Sequence, residues 1–199
     1  MKVEIREDSV VLDGYVNAVE RYSKPLLSKL GKFIERIMAG AFQRAIERNN
    51  DIKVLLNHDA TRQLASTKEG TAKLYEDNIG LRARVKITDP EVIEDAKNNK
   101  LRGWSFGFSD IDVEEGKTDD GIATRYVKDL NLYEVSILNS KKIPAYYGTS
   151  VELRNNEETL VSYRNEEFLN VEVERSVTQE QTIDYKSFED RLKKIKEEK

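Results

Sequence analysis

The stretch LRGWSFGFSD, residues 101 to 110, carries an aromatic residue at every second position: Trp104, Phe106 and Phe108. Only an extended chain puts residues two apart on one face, so this spacing predicts a strand with its aromatic face anchored in a core. The other face holds only Ser105, Gly107 and Ser109. Glycine in a strand often marks a close approach of backbone. The bare face therefore either packs tightly on a neighbouring layer or leaves room for something to come close to Ser105.

A period of two recurs along most of the chain. Residues 1–22 alternate well enough for one or two strands, with Gly14 as a bulge or turn. IKVLLNHD (52–59) reads as a buried strand ending at a polar corner. TAKLYEDNIGLRARVKI (71–87) reads as a hairpin turning near EDNIG, with Leu81, Ala83, Val85 and Ile87 inward and Arg82, Arg84 and Lys86 toward water. IATRYVKDL and LYEVSIL supply two more strands after the acidic turn EEGKTDDG.

Two segments break this period. In GKFIERIMAGAFQRAIERNN (31–50), Phe33, Ile34, Ile37, Met38, Ala41, Phe42, Ala45 and Ile46 recur at three- and four-residue spacing, which predicts one amphipathic helix. Asp89 before Pro90 is a cap followed by a first-turn proline, opening a short helix over EVIEDAKNNK. Beyond residue 150 the chain becomes more densely charged, and SFEDRLKKIKEEK (187–199) has the pattern of a terminal amphipathic helix. The division expected is a body of residues 1–150 and a charged, partly flexible tail, 151–199. The body is expected to be α+β, with a largely antiparallel sheet or barrel.

Composition narrows the chemistry. The formal net charge of −4 argues against nucleic acid as the main partner. No apolar run approaches the ~20 residues that span a bilayer, and the N-terminus has no signal-peptide pattern, so no membrane partner and a cytosolic site are expected. The chain has no cysteine, which excludes disulfides, thiolate zinc sites and a cysteine nucleophile. It has a single histidine, His58, so a multi-histidine metal site is excluded and no cofactor is called for. Any imidazole acid–base chemistry must run through that one residue.

A serine nucleophile needs a base within hydrogen-bond reach, itself oriented by a third group. For Ser105 the only imidazole available is His58. On an extended strand His58 would share the apolar side with Val54 and Leu56, which is also the pattern of a satisfied structural histidine. Asp59 is adjacent, but neighbouring side chains of an extended chain diverge. Glu134 is better placed. In NLYEVSILN, Tyr133, Val135 and Ile137 form one apolar face, and Leu132 and Leu138 bracket Glu134 and Ser136 on the other. A carboxylate there must be paired, either with His58 or with a lysine or arginine.

LLNHD (55–59), GWSFGF (103–108) and LYEVSIL (132–138), in this order after an amphipathic helix, resemble the prohead (head maturation) serine proteases of tailed bacteriophages. The resemblance runs over roughly residues 10–147 and includes DPEVIEDAKNNKLRGWSFGF and PAY (144–146). It implies kinship with the herpesvirus assemblin proteases and hence a β-barrel surrounded by helices. It also implies Ser105 as nucleophile and His58 as general base, with Glu134 where phage relatives place an acidic residue. The enzyme would be a serine endopeptidase with a Ser-His-Glu triad or a Ser-His dyad. The turn NSKK (139–142) is a candidate source of oxyanion donors by analogy.

The implied substrates are the scaffold segment of the phage major capsid protein and the protease itself. Both would be met inside the assembling prohead in the host cytoplasm, with a homo-oligomer left open. The alternative is a non-catalytic capsid-assembly or scaffolding protein that keeps the fold. GWSFG also matches the G-x-S-x-G string of esterases, but the strand–turn–helix that motif requires is missing, because the residues after Ser105 continue as strand.

Overall fold

A computed structural model of the chain describes residues 2–28 and 31–140, and the backbone of three later strands at 151–154, 160–167 and 172–175. The first sheet contains β1 (Lys2–Ile5), β2 (Val10–Ala18), β7 (Ala72–Glu76), β8 (Gly80–Ile87) and β13 (Glu172–Arg175), in the order β13-β1-β2-β8-β7. The second contains β3 (Leu26–Ser28), β4 (Gly31–Ile37), β9 (Leu101–Lys117), β10 (Ala123–Asn139), β11 (Val151–Arg154) and β12 (Leu160–Glu167), in the order β11-β12-β9-β10-β4-β3. A short strand, β5 (Lys53–Leu56), joins β10 beyond the end of β4 and pairs with β6 (Asp59–Ser66). Two helices accompany the sheets among the described residues, α1 (Ala41–Arg48) and α2 (Pro90–Lys97).

The core lies where the apolar faces of the two sheets meet. Leu81, Ala83, Val85 and Ile87 are fully buried, as the hairpin pattern predicts, and so are Phe106 and Phe108. Phe42 of α1 packs edge-on against Phe106, ring centroids 5.4 Å apart, and Phe106 stacks on Phe108 at 5.3 Å. Asp89 caps α2 by accepting from the main-chain N–H groups of Glu91 and Val92.

The fold is mostly β, with few helices. Among the described residues neither sheet closes, so the expected barrel surrounded by helices is replaced by two open sheets. Their outer strands, β13 and β7 in one and β11 and β3 in the other, do not pair with each other.

The expected helix over 31–50 is also divided. Residues 31–37 form β4, which pairs in parallel with β10 from Phe33 opposite Ala123 to Ile37 opposite Val127. Phe33 and Ile37 lie four residues apart, which satisfies a helical stripe and a strand face alike. Pairing with β10 decides for the strand and buries Phe33, Glu35 and Ile37. Gly40, at φ 84°, turns the chain into α1. Having no side chain, Gly40 cannot cap the helix. Glu76 of β7 does so, accepting from the N–H of Gly40 at 2.6 Å and of Gln43 at 2.8 Å.

Gly14 pairs regularly with Ala83, and the irregularity in β2 falls instead between Tyr15 and Asn17. The two strands expected after the acidic turn are one continuous strand, β10. The charged segment after residue 150 supplies β12 to the edge of β9 and β13 to the edge of β1. The terminal helix expected over 187–199 and the PAY at 144–146 lie outside the described residues.

Candidate active site

β9 and β10 form a long antiparallel pair that sets the site. Trp104 opposes Ile137, Ser105 opposes Ser136, and Phe106 opposes Val135. Gly107 then opposes Glu134 while Phe108 opposes Leu132, so Tyr133 is an extra residue, a β-bulge. The bulge changes which side chains share a face. Leu132 does not bracket Glu134: it sits on the core face opposite Phe108 and is 1% exposed. Tyr133, expected beside Val135 and Ile137 in the core, is 40% exposed, and its hydroxyl meets that of Ser109 at 2.8 Å.

The face opposite the core therefore carries Ser105 and Gly107 from β9 and Glu134 and Ser136 from β10. Directly opposed side chains such as Ser105 and Ser136 have Cβ atoms about 4.5–5.5 Å apart. On the β9 side Gly107 sets no side chain beside Glu134, whose register partner on the β5 side is Lys53. This face is bare of bulk, as the sequence indicates, but it is not open: Ser105 and Ser136 are 0% exposed. The backbone of β12 runs along the other edge of β9, with residue 165 opposite Ser105.

His58 arrives from β5, which pairs in parallel with the Glu134–Ile137 part of β10. Leu56 and Asp59 pair with each other, leaving Asn57 and His58 as a two-residue loop, at φ 55° and 62°. Two successive left-handed residues are the geometry of a tight hairpin turn whose twist matches the strands. His58 is thus not on the strand beside Val54 and Leu56. The loop swings its imidazole over β10, where Nδ1 lies 2.8 Å from Glu134 Oε1. The main-chain N–H of His58 donates to Ser136 Oγ at 3.0 Å, and that hydroxyl donates to Glu134 Oε2 at 2.6 Å. Among the described residues, Glu134 pairs with the His58 ring and not with a lysine or arginine.

Of the three residues singled out from sequence, the fold joins His58 to Glu134 directly and puts Ser105 on the same sheet face as Glu134, across from Ser136. Asp59 is turned away, its carboxylate accepting from the N–H and hydroxyl of Thr61. Ser136, read from sequence only as a neighbour of Glu134 on one strand face, is the residue that links the His58 backbone to the Glu134 carboxylate. Asn57 and Asp95, which support the His58 loop together with Asn139, carry no signal in the sequence. Of the NSKK turn, Asn139 ends β10 with its side chain bonded to Asn57 and Asp95, while Lys141 and Lys142 lie outside the described residues.

The chain matches the family model described as caudovirus prohead serine protease over residues 1–162. It is also similar to the prohead protease of Escherichia phage T5, 26% identical over 151 residues, which are 68% of this chain and 69% of that protein. No solved structure matches it. With a family match that runs from the first residue through every element of the site, the chain belongs to the caudovirus prohead serine proteases.

Proposed function

We propose that Ser105, His58 and Glu134 are the catalytic triad of a serine endopeptidase that matures the phage capsid. On this reading it cleaves the scaffold segment of the major capsid protein, and itself, inside the assembling prohead in the host cytoplasm. The body of residues 1–150 is the protease, and self-processing falls in the charged segment 151–199. The observation that carries the reading is the 2.8 Å contact between His58 Nδ1 and Glu134 Oε1.

A carboxylate offers only acceptors, so it favours the imidazole tautomer with its proton on Nδ1, leaving a lone pair on Nε2. Nε2 is then the base that takes the Ser105 proton as Oγ attacks the peptide carbonyl. Protonated, His58 returns that proton to the leaving amine, which departs and leaves an acyl-enzyme on Ser105. Water attacks the acyl group by the same route, with His58 again as base. Glu134 holds the ring and stabilises the imidazolium formed in each half-reaction. A substrate carbonyl must come within about 3 Å of the hydroxyl. Because Ser105 is 0% exposed, this mechanism requires the face over it to uncover before acylation. A non-catalytic scaffolding protein on the same fold would not need a carboxylate set on the one imidazole, with a serine on the same sheet face.

The test is Ser105→Ala and His58→Ala, each assayed for capsid-protein cleavage and for labelling by a fluorophosphonate, beside a circular dichroism spectrum. Both variants are expected to keep the fold and lose several orders of magnitude in rate, because such residues act as a unit. Full cleavage by either variant would overturn the triad.

A further inference from the structure

We propose that Asn57 is a positioning residue for His58, clamped by a buried chain of side chains that runs through Asn139 to Asp95 on α2. This rests on the reading of His58 as general base. A left-handed conformation at a residue other than glycine costs about 1–3 kcal/mol and persists only where surrounding structure over-determines it. The loop holds two in succession, and the second is histidine, not the glycine such turns favour.

The constraint comes from β10, the strand that also carries Glu134. The main-chain N–H of Asn57 donates to the carbonyl of Ile137 at 2.9 Å. Its side chain is held twice by one residue: Nδ2 donates to Asn139 Oδ1 at 2.8 Å, and Oδ1 accepts the main-chain N–H of Asn139 at 3.1 Å. The direction of these bonds is set from α2. Asn139 Nδ2 donates to Asp95 Oδ2 at 2.8 Å, and Asn139 and Asp95 are 0% and 7% exposed. A carboxylate offers only acceptors, so Asn139 must turn its amide nitrogen to Asp95 and its oxygen to Asn57. Asn57 has then a single arrangement that satisfies both of its own groups.

α2 braces the loop from its other side too. Arg62, on the strand that leaves the loop, donates to Asp89 and Glu91 at the start of α2, both at 2.9 Å. The loop that aims the imidazole is thus tied on one side through Asn57 and Asn139 and on the other through Arg62. Without the Asn57 side chain, the loop loses the two bonds that tie it to Asn139 and keeps the main-chain bonds of Asn57 to Ile137 and of His58 to Ser136. A misplacement of about 1 Å in a reacting group can cost about 10²-fold in rate.

The experiment is Asn57→Gly, which keeps the left-handed turn and removes only the clamp. A second variant, Asn57→Asp, keeps the turn but sets a carboxylate oxygen against Asn139 Oδ1, with no donor between them. Each is measured for kcat and KM, for the rate of Ser105 labelling by a fluorophosphonate, for melting temperature, and for the His58 Nδ1–H signal by NMR. Both should lose about 10–100-fold in kcat and in labelling rate with KM unchanged. The Nδ1–H signal should broaden or vanish. Wild-type rates and an intact signal in a folded Asn57→Gly protein would overturn the proposal. So would a lower melting temperature with rate per folded molecule and signal unchanged, since that is a structural role alone. His58→Ala is run beside them: if it labels at the wild-type rate, it is the general-base reading that fails, and the NMR signal alone then judges the clamp.

Discussion

The main-chain N–H of His58 donates to the hydroxyl of Ser136 at 3.0 Å, and that hydroxyl donates in turn to Glu134 Oε2 at 2.6 Å. One side chain therefore fixes both the backbone beneath the imidazole and the second oxygen of its carboxylate partner. Ser136→Ala leaves a main-chain donor and a carboxylate oxygen each short of a partner in a buried place, a loss of about 1–3 kcal/mol. For a chain of this size that lowers the melting temperature by about 2–4 °C per kcal/mol. A kcal/mol or so of it felt in the transition state slows Ser105 acylation about 5–10-fold. Thermal unfolding and fluorophosphonate labelling of the same preparation check this. An unchanged melting temperature and rate would mean that water replaces the hydroxyl in both bonds.

Glu134→Gln separates orientation from simple pairing. The glutamine oxygen can still accept from Ser136, which leaves the amide nitrogen facing His58 Nδ1. That donor favours the tautomer with its proton on Nε2, where the ring can no longer take the serine proton. The equivalent change in a well-studied triad costs about 10⁴-fold in kcat. Glu134→Asp keeps the charge on an arm too short to serve both His58 and Ser136, and should cost less. If Glu134 were a structural partner alone, both variants would lose thermal stability and their rates would follow the folded fraction. Measuring kcat and melting temperature together decides between the two.

Away from the site, Asp129 gives the fold an acid-sensitive tie. The Arg48 guanidinium of α1 grips both carboxylate oxygens, at 2.7 and 3.1 Å, and this above all holds the Asp129 carboxyl below its usual range. A group with a lowered folded pKa stabilises the fold fully above its unfolded value, about 3.9, and that contribution is lost as pH falls through the folded value. The melting temperature of the wild type should therefore exceed that of Asp129→Asn by a constant margin at neutral pH. The margin should shrink below about pH 4 as the unfolded chain, and then the folded one, takes up the proton. A margin that grew on acidification would refute the tie.

Local pattern decided much of what could be read in advance. The aromatic alternation at 104–108, the hairpin of β7 and β8 and the Asp89 cap of α2 each depend on residues near one another in sequence, and each has the expected form. Residues 31–37 are ambiguous in sequence because Phe33 and Ile37 fit both periods, and the distant strand β10 chooses between them. The Tyr133 bulge was invisible for a related reason. Leu132 and Glu134 have the same parity in sequence, and pairing with Phe108 and Gly107 is what sends them to opposite faces.

The site was legible where chemistry is scarce, in a lone imidazole and a carboxylate on an apolar strand. It was illegible where chemistry is common. Ser136, Asn57, Asn139 and Asp95 are ordinary polar residues whose partners are set by strand register, and the left-handed loop under His58 looks in sequence like the end of an apolar run.

The hairpin of β9 and β10 also bears on how such chains can diverge. Its strands run well past the site to a turn at 118–122, and the pairs that matter, Ser105 with Ser136 and Gly107 with Glu134, lie at the other end. Matched residues added or lost near that turn change the count between Ser105 and Glu134 while leaving both pairs in place. If Ser105 and Glu134 act together as proposed, such changes need preserve only their phase across the hairpin and not their spacing. A search for distant kin by fixed spacing would pass over chains with longer or shorter arms. One that asks for a serine and, across the hairpin, an acid two positions before a second serine would retain them.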